Sequence, residues 1–269
     1  MDIAKEMELF KNNVVYDWHE HVGSVGNTDR LDEAKCDRLA EHAKMLYIDR
    51  VAVSRPSSRY ETPERVREIN NVVAEGVKRH EGFFYGMCFV DPHHGGCAVD
   101  EIERCVSGMG FVGVKLYTQA TIDDPMQYPI IEKCIELGVP ILMHSMKFSK
   151  NYPGPEPFAS HAAHFTNAAN KYPEAVFIIA HIGNGDRHWQ LKGISDCPNV
   201  FCDMSGSAFD QGTVEDIVSV FGAERVLFAS DGSLSSSVGK ILGADLSDDQ
   251  KKTILGAPRF AKYMERGAR

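Results

Sequence analysis

Eight short runs of β-branched or apolar residues recur along the chain, each followed by a stretch of helical character, and this alternation limits the fold more than any other feature. The runs fall at 14–17, 46–54, 83–90, 111–117, 140–145, 176–181, 200–204 and 226–231, where short apolar segments bounded by turn residues read as buried strands. Helices are expected at about 29–44, 62–79, 98–108, 126–137, 160–171, 188–195, 213–221 and 248–265. In the third of these, Val99, Ile102 and Val106 recur at spacings of three and four while Asp100, Glu101, Glu103 and Arg104 occupy the other face, the pattern of an amphipathic helix. Ser247 followed three residues later by Gln250 gives the last helix its start. Eight strand and helix alternations in 269 residues predict an α/β fold of the (β/α)8 TIM-barrel type, in one domain spanning 1–269. An open doubly wound sheet would carry fewer strands and a Gly-rich first turn.

The chain contains neither GxGxxG nor GxxxxGK[ST], which argues against nucleotide binding. With 29 basic and 38 acidic residues the formal charge is −9, and the basic residues are scattered, so no footprint for nucleic acid is expected. The N-terminal "MDIAKEMELFKNN" lacks the apolar core of a secretory signal and no run reaches the length of a membrane span. A cytoplasmic protein without membrane attachment is expected, acting on a small molecule, with self-association as a possibility. The seven cysteines include no CxxC pair, and buried free thiols explain them better than disulfides or a zinc ribbon.

In a barrel of this kind, chemistry lies at the C-terminal ends of the strands. Those ends read "DWHEH", "VSRPSSR", "VDPHH", "GVKLY", "ILMHS", "IIAHIG", "DMSGS" and "FASDG". On an extended strand His19 and His21 turn to one side, and Trp18 and Glu20 to the other. His144 and His181, each after an apolar run, have a simpler reading as core histidines bonded to backbone, and Asp231 before Gly232 has one as a turn residue. Those readings do not explain why five such groups fall at strand ends 1, 5, 6 and 8, which converge in a closed barrel. Three neutral imidazoles and a carboxylate suit Zn²⁺ with a position left for water, and manganese is the alternative. Lys115 reads as a substrate-carboxylate anchor or a structural residue. Arg55 and Arg59 are candidates for a carboxylate fork. His93, His94, His161 and His164 are read as rim or surface residues.

The order of His-x-His on strand 1, GxKL on strand 4, His on strands 5 and 6, and "RVLFASD" on strand 8 resembles the amidohydrolase superfamily, in its amidohydrolase-related branch of small metal-dependent hydrolases and decarboxylases. The likeness extends to the tail "ILGAPRFAKYM", where Ala257-Pro258 replaces that family's Asn-Ala, and the loop "GSLSSSVGKILGADL" after strand 8 looks short. The resemblance implies His19, His21, His144 and Asp231 as the shell of one divalent ion, His181 as the catalytic imidazole and Asp231 as its partner in proton transfer; in the family's two-metal members the lysine at the place of Lys115 is carboxylated and bridges the ions, a third reading of that residue. It implies first a hydrolase that attacks an ester, lactone or amide of a small acid through a metal-activated water. A decarboxylase of an aromatic or enoic acid is the alternative, and an inactive barrel that serves as a binding module is a third reading.

Overall fold

The computed structural model describes residues 3–26, 28–145, 158–181, 193–206 and 211–266. Eight strands run in one sheet in sequential order, and every neighbouring pair from first to last is parallel. They are β1 Tyr16–His21, β2 Arg50–Ser54, β3 Phe84–Phe89, β4 Gly113–Leu116, β5 Ile141–Met143, β6 Phe177–Ile179, β7 Val200–Asp203 and β8 Val226–Leu227. The seam between β8 and β1 is bridged where the Trp18 amide donates to the Phe228 carbonyl (3.0 Å) and the Asp231 amide to that of His19 (2.7 Å). The result is the expected (β/α)8 barrel. Its strands are covered on both faces, which is why they read as continuous apolar runs rather than alternating ones.

Around them lie α1 Ile3–Lys11, α2 Glu33–Met45, α3 Pro63–Arg79, α4 Gly96–Glu103, α5 Tyr128–Leu137, α6 Ala162–Lys171, α7 Thr213–Phe221, α8 Leu234–Gly243, α9 Asp248–Gly256 and α10 Ala261–Arg266. Local chemistry accounts for several of their ends. Thr62 caps α3 by accepting from the Arg65 amide, Pro63 opens it, and Lys78 and Arg79 close it. Val66, Ile69, Val72 and Val73 form its buried stripe. Ser247 and Gln250 form the expected capping box of α9.

Three expectations need correction, and one helix, α1, is additional to those expected. The single helix over 248–265 is two helices, because Pro258 has no amide to donate and Ala257 turns left-handed (φ +39°). The segment after β8 is not a short loop: Leu234, Val238, Ile241 and Leu242 give it the buried stripe of α8. The strand read at 46–54 starts only at Arg50, after Tyr47 turns at φ +58°. The N-terminal segment forms α1, which inserts Phe10 against Phe228 (ring centroids 5.7 Å apart). The helix expected at 188–195 falls largely on residues outside those described, and 193–196 form a turn.

The barrel interior has two storeys. Tyr16, Trp18, Tyr85, Met87, Leu142, Ile178, Phe201 and Leu227 pack the lower one together with Phe260, Tyr263 and Met264 from the tail. Phe260 stands 5.2 Å from Trp18 and 4.6 Å from Phe201, edge to face, and closes the N-terminal mouth. Space there is tight at β4, where a Cβ on Gly113 would fall 2.7 Å from Met87 Cε and 2.9 Å from the Pro140 carbonyl oxygen. All seven cysteines are free and six are buried, Cys97 being the exposed one.

Candidate metal centre

On β1 the strict alternation expected for "DWHEH" is broken. Asp17 pairs with Val51 but Glu20 with Val53, so Trp18 and His19 together face Ala52, a β-bulge. Trp18 therefore belongs to the lower storey with Phe260, while His19 and His21 serve the upper one and Asp17 and Glu20 lie on the outer face of the wall. The strand extends over the whole motif instead of stopping at Asp17.

The upper storey collects residues from six strands. His21 Nε2 lies 2.9 Å and His19 Nε2 3.6 Å from Asp231 Oδ1. His181 Nδ1 lies 3.4 Å from Asp231 Oδ2, and His181 Nε2 3.1 Å from His144 Nδ1. Lys115, wholly buried, places Nζ 2.7 Å from His19 Nε2. Among the described residues, two triads hold their donor atoms within 4.8 Å of one another, His19/His21/Asp231 and His19/His181/Asp203. His144 adjoins these groups through His181, with its ring 4.3 Å from that of Tyr117. Asp231 and His181 are both left-handed, at φ +46° and +59°, a conformation that costs a non-glycine residue about 1–2 kcal/mol and is kept only where its surroundings impose it.

Asp203 and Ser205, which the sequence reading did not single out, organise this group. Asp203 Oδ2 accepts from His19 Nδ1 (2.9 Å), while Oδ1 accepts from the amides of His181 (3.0 Å) and Ser205 (2.9 Å) and from Ser205 Oγ (2.6 Å). The Ser205 hydroxyl, having given its proton to Asp203, accepts from His181 Nδ1 (3.0 Å). Counting protons then fixes the tautomers: His19 presents an Nε2 lone pair, and His181 Nε2 accepts from His144 Nδ1. A carboxylate behind a histidine of this kind orients metal ligands. The signal for Asp203 was its place two residues beyond Phe201 on the same inward face.

Electrostatics favour a cation. Burial opposes charge on Asp203 and Asp231, but hydrogen bonds from His19 and Ser205 to the first and from His21 to the second, with the pull the neighbouring rings exert once protonated, hold both carboxyls below their ordinary range. Burial, aided by the Lys115 charge, pushes His19 down to about 4, and burial also holds His181 well below an ordinary imidazole. Burial lowers Lys115 to about 8 against the pull of Asp203 and Asp231, so it is charged at neutral pH. Two carboxylates outnumber one ammonium, and the nitrogen and oxygen donors of His19, His21 and Asp231 fit a divalent ion of the zinc or manganese type.

The remaining sequence candidates lie around this core. Arg55 is half-buried and bonds Ser24 Oγ (2.8 Å), whereas Arg59 is exposed on the loop after β2. His93 leans on Asp91 (2.7 Å), His94 on the Glu61 carbonyl (2.8 Å), and the His161 and His164 rings lie against each other with their planes tilted by 38°.

Barrel and candidate site together have the form of a (β/α)8 protein whose histidine and carboxylate donors meet at the C-terminal ends of the strands. The family model for amidohydrolases matches residues 35–257, and the chain belongs to that family, in its amidohydrolase-related branch. It is 26% identical over 222 residues to a 2-keto-4-carboxy-3-hexenedioate hydratase from a Sphingobium species, covering 69% of this chain but 63% of that protein. It is 24% identical over 233 residues to a gamma-resorcylate decarboxylase from a Polaromonas species, covering 70% of this chain and 71% of that one. Among solved structures, a Polaromonas dihydroxybenzoic acid decarboxylase with bound manganese and the inhibitor 2-nitroresorcinol superposes with a TM-score of 0.72 at 19% identity, over 94% of this chain and 97% of that one. At that identity the superposition speaks for the fold. No described helix is long and apolar enough to cross a membrane.

Proposed function

We propose that the protein is a divalent-metal-dependent, non-oxidative decarboxylase of a small aromatic or unsaturated carboxylic acid. The observation that carries this reading is the buried ammonium of Lys115 beside the His19/His21/Asp231 triad, an anion holder next to a cation site in one cavity. The residues alone served hydrolysis equally well; the decarboxylases among the relatives favour loss of CO2. In this reading His19, His21, Asp231 and His144 hold zinc or manganese, and the bound cation supplies Lewis acidity at the substrate's oxygen atoms. Lys115 holds the substrate carboxylate, with Arg55 and Arg59 at the rim. The net proton comes from solvent, and His181, whose Nδ1 lies 3.4 Å from Asp231 Oδ2, hands it on to Asp231. Asp231 delivers that proton to the carbon bearing the carboxylate. The bond to the carboxylate then breaks, its electron pair stays on the protonated carbon, and CO2 leaves.

Addition of water to a double bond is the second reading, favoured by the hydratase relative. Both are tested by incubating the protein and Mn²⁺ or Zn²⁺ with ortho-hydroxybenzoates and unsaturated dicarboxylates in ¹⁸O-water. Release of CO2 with an unlabelled organic product is expected. Labelled organic product without CO2 would overturn decarboxylation in favour of water addition or hydrolysis.

A further inference from the structure

The two acidic residues of "DWHEH", Asp17 and Glu20, lie on the far side of the barrel wall from the metal donors, and both are buried, at 0% and 2% exposure. Between them sits the Ser230 hydroxyl, 2.6 Å from Glu20 Oε1 and in contact with Asp17 Oδ2. Their remaining contacts follow one pattern. Asp17 Oδ1 accepts from the amides of His19 (3.1 Å) and Ser230 (3.1 Å). Glu20 accepts from the amide of His21 through Oε2 (3.0 Å) and from that of Gly232 through Oε1 (2.8 Å). Each carboxyl therefore grips one histidine of the triad and one neighbour of Asp231. The Asp231 amide itself is held by the His19 carbonyl (2.7 Å).

Three consecutive amides of the β8 end, 230 to 232, are thus fixed by β1 alone. The bulge makes this possible, since it turns Asp17 and Glu20 outward together while His19 and His21 face in. It also explains how Asp231 persists in a left-handed conformation that its side chain does not favour. We propose that Asp17 and Glu20 are positioning residues that set the metal affinity of the site by clamping the backbone of His19, His21 and Asp231 from behind the barrel wall. The inference rests on the reading of those three residues as metal ligands.

The test compares wild type, E20A and E20Q, with E101Q as a control at a buried carboxyl bonded to Asn70 and Arg104, away from the triad. Mn²⁺ dissociation constants are measured by equilibrium dialysis, with thermal unfolding of the metal-free proteins alongside. E20A loses both grips and is expected to weaken binding roughly tenfold or more, in the range seen when outer partners of metal ligands are removed. E20Q keeps the acceptor for Gly232 but turns a donor toward His21, and is expected to weaken it by roughly threefold. E101Q should lower the melting temperature and leave the constant unchanged. If E20A does not fold, E20Q decides. Equal constants for wild type and the folded Glu20 variants would overturn the clamp while leaving the metal site intact. No binding by wild type would instead remove the metal reading itself.

Discussion

Two storeys of the same barrel follow opposite rules, although two residues of rise separate them on several strands. On β5 Leu142 belongs to the lower storey and His144 to the upper; on β7 the pair is Phe201 and Asp203; on β4 it is Gly113 and Lys115. The lower storey is apolar and sealed by Phe260, so its burial contributes directly to stability. The upper one buries an ammonium and two carboxylates and holds two residues in left-handed backbone. Such groups cost stability unless something offsets them. One ladder of strands therefore carries a stabilising floor and a strained, charged ceiling, and the floor is what lets the ceiling exist.

The contrast breaks most visibly by emptying the floor. Phe260→Ala is expected to cost about 3–5 kcal/mol, as for other buried aromatic truncations, while leaving Mn²⁺ affinity of the folded protein unchanged; denaturant titration and dialysis check the two halves. A large loss of affinity would mean that the storeys are not separable. In the ceiling the signs reverse. Lys115→Met is expected to raise the melting temperature of the metal-free protein, because a buried charge is removed, and to lower kcat/KM for a carboxylate substrate about 10–100-fold, the worth of a charged hydrogen bond. Asp203→Asn should act more gently, removing the acceptor that orients His19 and weakening metal binding about tenfold.

A further effect is one of pH. Lys115 loses its proton near pH 8 in the folded chain but keeps it to the ordinary lysine value near 10.5 when unfolded. Between those values the unfolded state holds the extra proton, so this group makes metal-free stability rise with pH across that window. Capture of a carboxylate should fall as pH rises through the folded value near 8, where the charge is lost. A kcat/KM profile that lacks this limb in wild type, or keeps it in Lys115→Met, would detach Lys115 from the substrate.

Much of the floor and part of the ceiling were legible in the sequence. Strand alternation reports burial on both faces, and it gave all eight strands their places. His19, His21, His181 and Asp231 were readable because unusual residue types fell at strand ends. The bulge was not readable, since it arises from the pairing of β1 with β2 and leaves no residue signature. With strict alternation assumed, Trp18 went to the wrong face and Asp17 and Glu20 looked incidental. Asp203 hid for a different reason: an aspartate at a strand end also reads as a turn residue, and only the meeting of β7 with β1 reveals its bond to His19. Pro258, by contrast, was in plain view as the end of a helix.

The measurement that bears most directly on the whole account is the metal content of protein purified without chelator, wild type beside Asp231→Asn. The account expects about one zinc or manganese ion per wild-type chain, as a three- to four-ligand His/Asp site holds, and almost none in a variant that still folds. Equal metal in both, or none in wild type even after supplementation, would contradict it.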